Sequence, residues 1–137
     1  MKVAMLTASV LLLTACSSGS ALKEMQSNLQ HHHWELTAIN GKAVDSAIKS
    51  DLEIGEHFTI NGLAGCNRFF GSATIDHNTL IADPLASTRM ACSPQETKVE
   101  KAVMETLGKG ATIKHENQLL ELTGEHYTLT YKLADWM

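Results

Sequence analysis

Short stretches in which apolar and polar residues alternate run along the chain from about residue 31 to its end. In the first of them, Trp34, Leu36 and Ala38 alternate with polar residues, and Asn40-Gly41 follows as a hairpin turn signal. Alternation with a period of two predicts strands that bury one face. Further stretches that suit strands are residues 57–60, 72–75, 79–82, 85–92, 111–116, 118–123 and 126–133.

The segment around residues 61–71 is richer in glycine and is interpreted differently. Asn61-Gly62 has the sequence of a second hairpin turn. Gly62, Gly65 and Gly71 are expected to permit positive φ angles in a looped crossover, because glycine adopts such angles without steric cost.

One helix is predicted among the strands. Ser93 is a natural N-cap, Pro94 stands at the first helical position, and Glu96 completes an S-x-x-E capping box. Apolar residues then recur at helical spacing as far as Leu107, and the glycines at 108 and 110 end the run. Many short strands and one helix predict a mainly β fold, an antiparallel meander that forms a small barrel or half-barrel with the helix covering an opening. A flat sheet is less suitable because it leaves long edges exposed.

The first 16 residues have a different pattern, which predicts where the protein works. Lys2 precedes the apolar run Val3–Leu13, whose 11 residues fall short of the roughly 20 that span a bilayer. Residues 13–16, Leu-Thr-Ala-Cys, have the form of a lipobox, so residues 1–15 are interpreted as a signal peptide that is removed before an acylated Cys16. The acyl chains would make the membrane a partner of this protein. The alternative is an ordinary secretory signal followed by a coincidental cysteine.

The residues after Cys16 divide the rest of the chain. In Gram-negative bacteria, an aspartate directly after the acylated cysteine usually retains a lipoprotein in the inner membrane. This chain has Ser17 and Ser18 there, which favours the outer membrane, with the domain facing the periplasm. Residues 16–30 are interpreted as lipidated cysteine and tether, and residues 31–137 as one domain.

Cysteine usage suits an oxidising compartment. With Cys16 acylated, Cys66 and Cys92 remain as an even pair. A disulfide between them would close a loop of about 27 residues and contribute about 3–4 kcal/mol. Catalytic or redox-active thiols are the alternative, which the spacing favours less because it is not C-x-x-C.

Charge and motifs argue against several functions. The formal net charge of −4 argues against nucleic acid as a partner. No G-x-S-x-G or H-E-x-x-H motif occurs in the sequence, and we expect neither an enzyme nor a cofactor. His31 and His33 would share a face of a strand and are the candidate metal ligands, but two side chains do not make a site. An exposed strand entrance is the preferred interpretation of these histidines.

The most distinctive local feature combines residues 62–75, GLAGCNRFFGSATI, with residues 86–93, ASTRMACS. If the two cysteines are bonded, Asn67 and Arg68 lie close to Arg89, and these two arginines are the only ones in the chain. One interpretation is a docking patch for an anionic group. In the other, Asn67 bonds loop backbone and the arginines pair with surface carboxylates.

The run GCNRFFG, followed about twenty residues later by STRMAC and then by a capped helix, resembles the META domain family, and the resemblance covers nearly the full chain. It implies a compact β-rich domain with one helix, of lipocalin-like barrel character, secreted or lipid-anchored. It also implies a role in tolerance of stress, including heat and some antibiotics, and no enzymatic activity. The residues that match the family motif are Gly65, Cys66, Asn67, Arg89 and Cys92, and the resemblance implies a structural role for them.

Together these observations predict a monomeric, non-enzymatic, lipid-anchored envelope protein. It would support stress tolerance by binding another envelope component, an unidentified protein or ligand. The alternative is a carrier that holds a small apolar ligand in the barrel interior. Two Trp, two Tyr and three Phe provide little aromatic lining, and a barrel this small is usually filled by its own side chains.

Overall fold

The computed structural model describes residues 18–135, with the backbone alone for residues 18–22. The predicted signal peptide and Cys16 lie outside the described residues. The helices are α1 (Ser18–Leu29) and α2 (Pro94–Lys109), and neither is long and apolar enough to cross a membrane. The strands are β1 (His32–Ile39), β2 (Lys42–Ala43), β3 (Asp51–Ile54), β4 (Thr59–Leu63), β5 (Arg68–Ser72), β6 (Thr74–Asp76), β7 (Thr79–Ile81), β8 (Leu85–Ser87), β9 (Ala111–Glu116), β10 (Leu119–Thr123) and β11 (Thr128–Leu133).

The strands form one curled antiparallel sheet. Its order is β6-β7-β9-β10-β11-β1-β3-β4-β5-β8, and β2 pairs with β1 beside this path. Strands β5 and β6 belong to opposite arms of the sheet, yet Ala73 alone separates them along the chain. The chain at Ala73 therefore joins the two arms, and its N–H donates to the carbonyl of Phe58 at 2.8 Å. The predicted fold class, a mainly β half-barrel with one main helix, is confirmed.

The predicted alternation explains which side chains fill the half-barrel. Trp34 and Leu36 of β1 are buried, and Leu129 and Tyr131 of β11 are fully buried beside them. Helix α2 closes the core with its apolar face, whose buried residues are Val99, Ala102, Val103, Thr106 and Leu107. The interior is thus occupied by the protein's own side chains, and a ligand carried there, the alternative function, would have to displace them.

Two polar atoms in this core lack a hydrogen-bond partner among the described residues, the indole Nε1 of Trp34 and the hydroxyl of Tyr131. Burial, and secondly the nearby charge of Asp51, raise the pKa of Tyr131, so the phenol stays neutral. An unpaired buried hydroxyl is destabilising because it has lost its hydrogen bonds to water.

Of the two predicted Asn-Gly turns, one is confirmed and one is wrong. Asn40 and Gly41 have φ angles of 52° and 76° and connect β1 to β2. Asn61 and Gly62 instead lie inside β4, opposite Phe70 and Phe69 of β5. The turn preference of Asn-Gly is outweighed here because β4 pairs with β3 on one side and with β5 on the other.

The positive φ angles predicted for the three central glycines are also wrong. Gly62, Gly65 and Gly71 do not have positive φ; among the described glycines only Gly41 and Gly110 do. What each lacks is space for a Cβ atom, which would collide with the carbonyl oxygens of Asp51, Glu96 and Pro84 respectively. Glycine is required because another segment of backbone passes close by.

The capped helix forms as predicted. The Ser93 hydroxyl accepts from the N–H of Glu96 at 3.2 Å, and the Glu96 carboxylate accepts from the N–H of Ser93 at 2.9 Å. These two contacts are the capping box, and Gly110, at φ 103°, ends the helix. At the other end of the chain, α1 places Leu29 fully inside the core, two residues before the predicted start of the domain.

Candidate functional site

The two motif segments meet at one corner of the sheet, next to the start of α2. The loop between β4 and β5 carries Cys66, and the segment between β8 and α2 carries Cys92. The structure places these cysteines in a disulfide, with their Cα atoms 5.9 Å apart and a sequence separation of 26. By the chain-entropy argument, this bond contributes about 3–4 kcal/mol to stability.

Asn67 organises this corner. Its side chain is buried, at 5% exposure. The amide oxygen accepts from the N–H of Met90 at 2.6 Å and from the hydroxyl of Thr88 at 3.0 Å. The amide nitrogen donates to Oε2 of Glu100 at 3.0 Å and to the carbonyl of Met90 at 3.3 Å. Through these hydrogen bonds, Asn67 of the loop before β5 connects that loop to the segment after β8 and to α2.

Glu100 completes the connection to the helix. Its Oε1 accepts from the backbone N–H of Asn67 at 2.8 Å, while Oε2 accepts from the Asn67 amide. Such contacts to a carboxylate are stronger than neutral hydrogen bonds. Gly65 lets the loop lie directly against the first turns of α2, near the carbonyl of Glu96. Loop and helix are thus fixed relative to each other.

The two arginines project from this fixed corner. Arg68 is held through its backbone, since its N–H donates to the Thr88 hydroxyl at 3.0 Å and its carbonyl accepts from the Thr88 N–H at 2.9 Å. Arg89 stands between Thr88 and Met90, the residues that contact Asn67. Both arginines are exposed, and within residues 18–135 neither has a carboxylate within 4.0 Å.

Two apolar side chains beside the arginines were missed in the sequence. Phe70 is 57% exposed and shares the outer face of β5 with Arg68, two residues away. Met90 is 60% exposed and follows Arg89. The even spacing of Arg68 and Phe70 was a signal that could have identified the pair. We call Arg68, Phe70, Arg89 and Met90 the arginine corner.

Asn67 is not exposed, as a residue that contacts a docking partner has to be. It was grouped with Arg68 and Arg89, but its side chain is buried and its polar atoms are engaged within the protein. It positions the arginine corner and does not face solvent with it.

The candidate metal ligands His31 and His33 belong to no close set of three potential metal ligands among the described residues. His31 is exposed just before β1, with φ 64°, whereas Nε2 of His33 lies 3.4 Å from the Asp51 carboxylate. His32 pairs with Asp135 at 2.7 Å. The His33 N–H, and secondly the His32 ring, lower the pKa of Asp135.

Between Lys23 and Asp135, one set of three potential metal ligands has its ligand atoms all within 4.8 Å of one another, namely Cys66, Cys92 and Glu100. Both sulfurs of this set are engaged in the disulfide, and both oxygens of the carboxylate accept from Asn67. The oxidised corner is therefore a structural cluster and leaves no thiolate for a metal ion.

Comparison with known proteins agrees with the motif at this corner. The META domain model matches residues 27–136. The chain belongs to the META domain family. A further relative of this META-domain chain is the heat shock protein HslJ of Escherichia coli (strain K12), which is 38% identical over 138 residues, covering 99% of this chain and 98% of HslJ.

Two solved structures have the same fold as this META domain. One protein, determined by NMR, is 38% identical and superposes with a TM-score of 0.71, covering 80% of this chain and 94% of its own. A protein from Burkholderia xenovorans, also determined by NMR, is 23% identical with a TM-score of 0.65, covering 96% and 99%. The resemblance inferred from the cysteine motifs is therefore confirmed, and the second likeness concerns the fold alone.

Proposed function

We propose that this META-domain protein is a lipid-anchored protein of a Gram-negative outer membrane that faces the periplasm. It supports tolerance of heat and antibiotics by binding another envelope component, and it acts as a monomer without catalysing a reaction. The heat shock protein that is 38% identical over nearly the whole chain supports the stress role. The lipobox at Cys16 and a disulfide suited to an oxidising compartment support the location.

The observation that carries the binding role is the arginine corner. Arginine, aromatic residues and methionine are enriched in protein interfaces. Here two arginines without ion pairs in the described chain adjoin two exposed apolar side chains, on backbone that a disulfide and a buried amide hold fixed. A surface fixed before binding loses less conformational entropy when a partner docks. The partner that fits is an envelope protein presenting carboxylates around an apolar contact.

The test exchanges both arginines in the intact lipoprotein. In a strain without the native copy, Arg68→Gln with Arg89→Gln is expected to reduce survival of heat and antibiotic to the level of the empty strain. The melting temperature of the purified variant should stay unchanged, because neither side chain has an ion pair in the described chain to lose. Lys114→Gln with Lys132→Gln, two exposed cations on β9 and β11, is the matched control and should retain full tolerance.

Two results would contradict the docking role. One is full tolerance in the double arginine variant. The other is a large loss of stability, which would mean that the arginines hold the fold and not a partner. The anchor is tested separately, since labelled palmitate should be incorporated into the native chain and not into Cys16→Ser.

A further inference from the structure

A second candidate binding site lies along one side of α2 and includes neither cysteine of the disulfide. It is a groove of about 560 Å³ between α2, the end of β1 and the segment after β2. On one side of the helix, the Glu96 carbonyl lies near Gly65 and the Glu100 carboxylate contacts Asn67, whereas Gln95, Lys98 and Ala102 line the groove. No residue of the arginine corner lines the groove, which opens to solvent at the edge of the core and not inside the half-barrel.

The lining of the groove is mainly apolar. Val99 and Ala102 of α2 form its floor and are themselves part of the buried core. Ile39, Ile48 and Tyr127 form its walls, and each of them is half-buried. Apolar side chains that are packed on one side and open on the other provide a preformed surface for a hydrocarbon ligand.

The rim of the groove is positively charged, although the protein as a whole is negative. Lys42, Lys98 and Lys101 line it, all three are exposed, and none has an ion pair among residues 18–135. Asp45 is the one acidic residue in the lining, and its carboxylate accepts from the N–H of Ala47 at 2.9 Å. Three ammonium groups against one carboxylate leave a local excess of positive charge, which favours an anionic ligand.

The size of the groove decides between a small ligand and a protein partner. Small-molecule sites have volumes of about 300–1,000 Å³, and this groove lies within that range. A stable protein interface buries about 800 Å² on each partner, which is far more than the dozen residues lining this groove provide.

We infer that the groove binds an anionic amphiphile with a single acyl chain. The chain lies along Val99 and Ala102, and the carboxylate head group lies among Lys42, Lys98 and Lys101. Fatty-acid anions have this chemistry. Binding of this ligand is additional to the proposed docking at the arginine corner, so either proposal can be disproved without affecting the other.

Binding is tested on the full chain carrying Cys16→Ser, purified with its disulfide intact, so that no covalent acyl chain competes. Dodecanoate is added below its micelle concentration and followed by calorimetry and by amide shifts in NMR. We expect saturable binding with the largest shifts at Ile48, Val99 and Tyr127. Affinity should rise up to about fourfold for each methylene between octanoate and dodecanoate, as expected for buried hydrocarbon.

Charge and lining are then varied separately. Lys98→Gln with Lys101→Gln should weaken dodecanoate binding about fivefold, the size expected of exposed ion pairs, whereas Lys114→Gln with Lys132→Gln should not change it. Ile48→Glu, which places a carboxylate in the wall, should weaken binding more than tenfold. Dodecyltrimethylammonium, with the same chain and the opposite charge, should bind more weakly than dodecanoate to the unaltered groove.

Three outcomes would overturn the inference. The first is the absence of saturable dodecanoate binding. The second is binding whose amide shifts lie outside the groove or whose affinity is the same for the cationic amphiphile. The third is binding of an acidic amphipathic peptide at these residues with no binding of dodecanoate, which would make the groove a protein-docking surface.

Discussion

The core of the half-barrel and the corner around Asn67 are both fixed in place, but by different contacts. In the core, fully buried side chains such as Leu120 and Leu129 make many non-directional contacts. At the corner, one amide makes hydrogen bonds to Thr88, Met90 and Glu100, and one disulfide joins the same segments. The shape of the fold thus depends on contacts among many residues, whereas the placement of the arginine corner depends on very few.

The largest expected effect comes from the core. Leu129→Ala removes a fully buried side chain and leaves a cavity, which should lower the free energy of unfolding by about 3 kcal/mol. Leu119→Ala on the neighbouring strand is the matched control, because Leu119 is 51% exposed and should change stability by at most about 0.5 kcal/mol. Urea denaturation measures both, and similar losses for the two variants would contradict the assigned burial.

The next effect tests the corner with a change of almost no volume. Asn67→Asp keeps the oxygen that accepts from Met90 but replaces the donor that faces Glu100, so two carboxylates meet about 3.0 Å apart. We expect a loss of about 2–3 kcal/mol at neutral pH. Adding Glu100→Gln should restore much of it, because the glutamine amide can donate to the new carboxylate. A double-mutant cycle without coupling would show that the two side chains do not act as a pair.

The pH dependence of Asn67→Asp follows from the same contact. Repulsion between the two carboxylates raises the pKa of the pair in the folded state above that in the unfolded state. The folded variant then binds more protons than the unfolded chain, so its stability relative to the native protein falls as pH rises above about 4. Urea denaturation at several pH values between 4 and 7 should show this growing deficit, and a constant deficit would exclude the repulsion.

A smaller effect of opposite sign is expected back in the core. Tyr131→Phe removes the buried hydroxyl that has no hydrogen-bond partner in the described chain, and should raise the free energy of unfolding by about 1 kcal/mol. Tyr127→Phe, at a half-buried tyrosine, is the control and should have little effect. A destabilised Tyr131→Phe variant would mean that the hydroxyl is bonded in solution.

The smallest effect concerns the helix that joins the two regions. The Ser93 N–H, and secondly its hydroxyl, lower the pKa of Glu96 below its usual value of 4.5. The resulting stabilisation is complete above the unfolded pKa and is lost as pH falls through the folded one. As pH falls from 5 to 3, the melting temperature of the Glu96→Gln variant should therefore decrease less than that of the native chain. Thermal unfolding across this range measures it, and parallel profiles would contradict the capping contact.

The elements with strong local patterns were predictable. Trp34, Leu36 and Ala38 alternate in sequence and lie in β1, and Ser93 with Glu96 forms the capping box that its spacing predicts. The predicted strands 111–116 and 118–123 correspond to the β9–β10 hairpin, in which β10 begins one residue later than predicted. Local patterns succeed here because the strand period and the helix cap are properties of a few adjacent residues.

The errors fall where distant segments approach each other. Gly62 was expected to form a turn, but the carbonyl of Asp51 lies where its Cβ would be, and no neighbouring residue reveals that. The strand Asp51–Ile54 was not predicted at all, although Leu52 and Ile54 are fully buried in it. Strand pairing is set by tertiary partners, so a four-residue strand carries little signal of its own.

Local spacing and residue chemistry are enough to predict the family, the strand-rich class, the capped helix and the pairing of Cys66 with Cys92. The folded structure was needed to show that Asn67 is buried, that Phe70 and Met90 are exposed near the arginines in sequence, and that the lysines rim an apolar groove. Exposure and charge environment depend on which segments pack together across the sheet. Packing is a property of the folded chain and not of any short stretch of its residues.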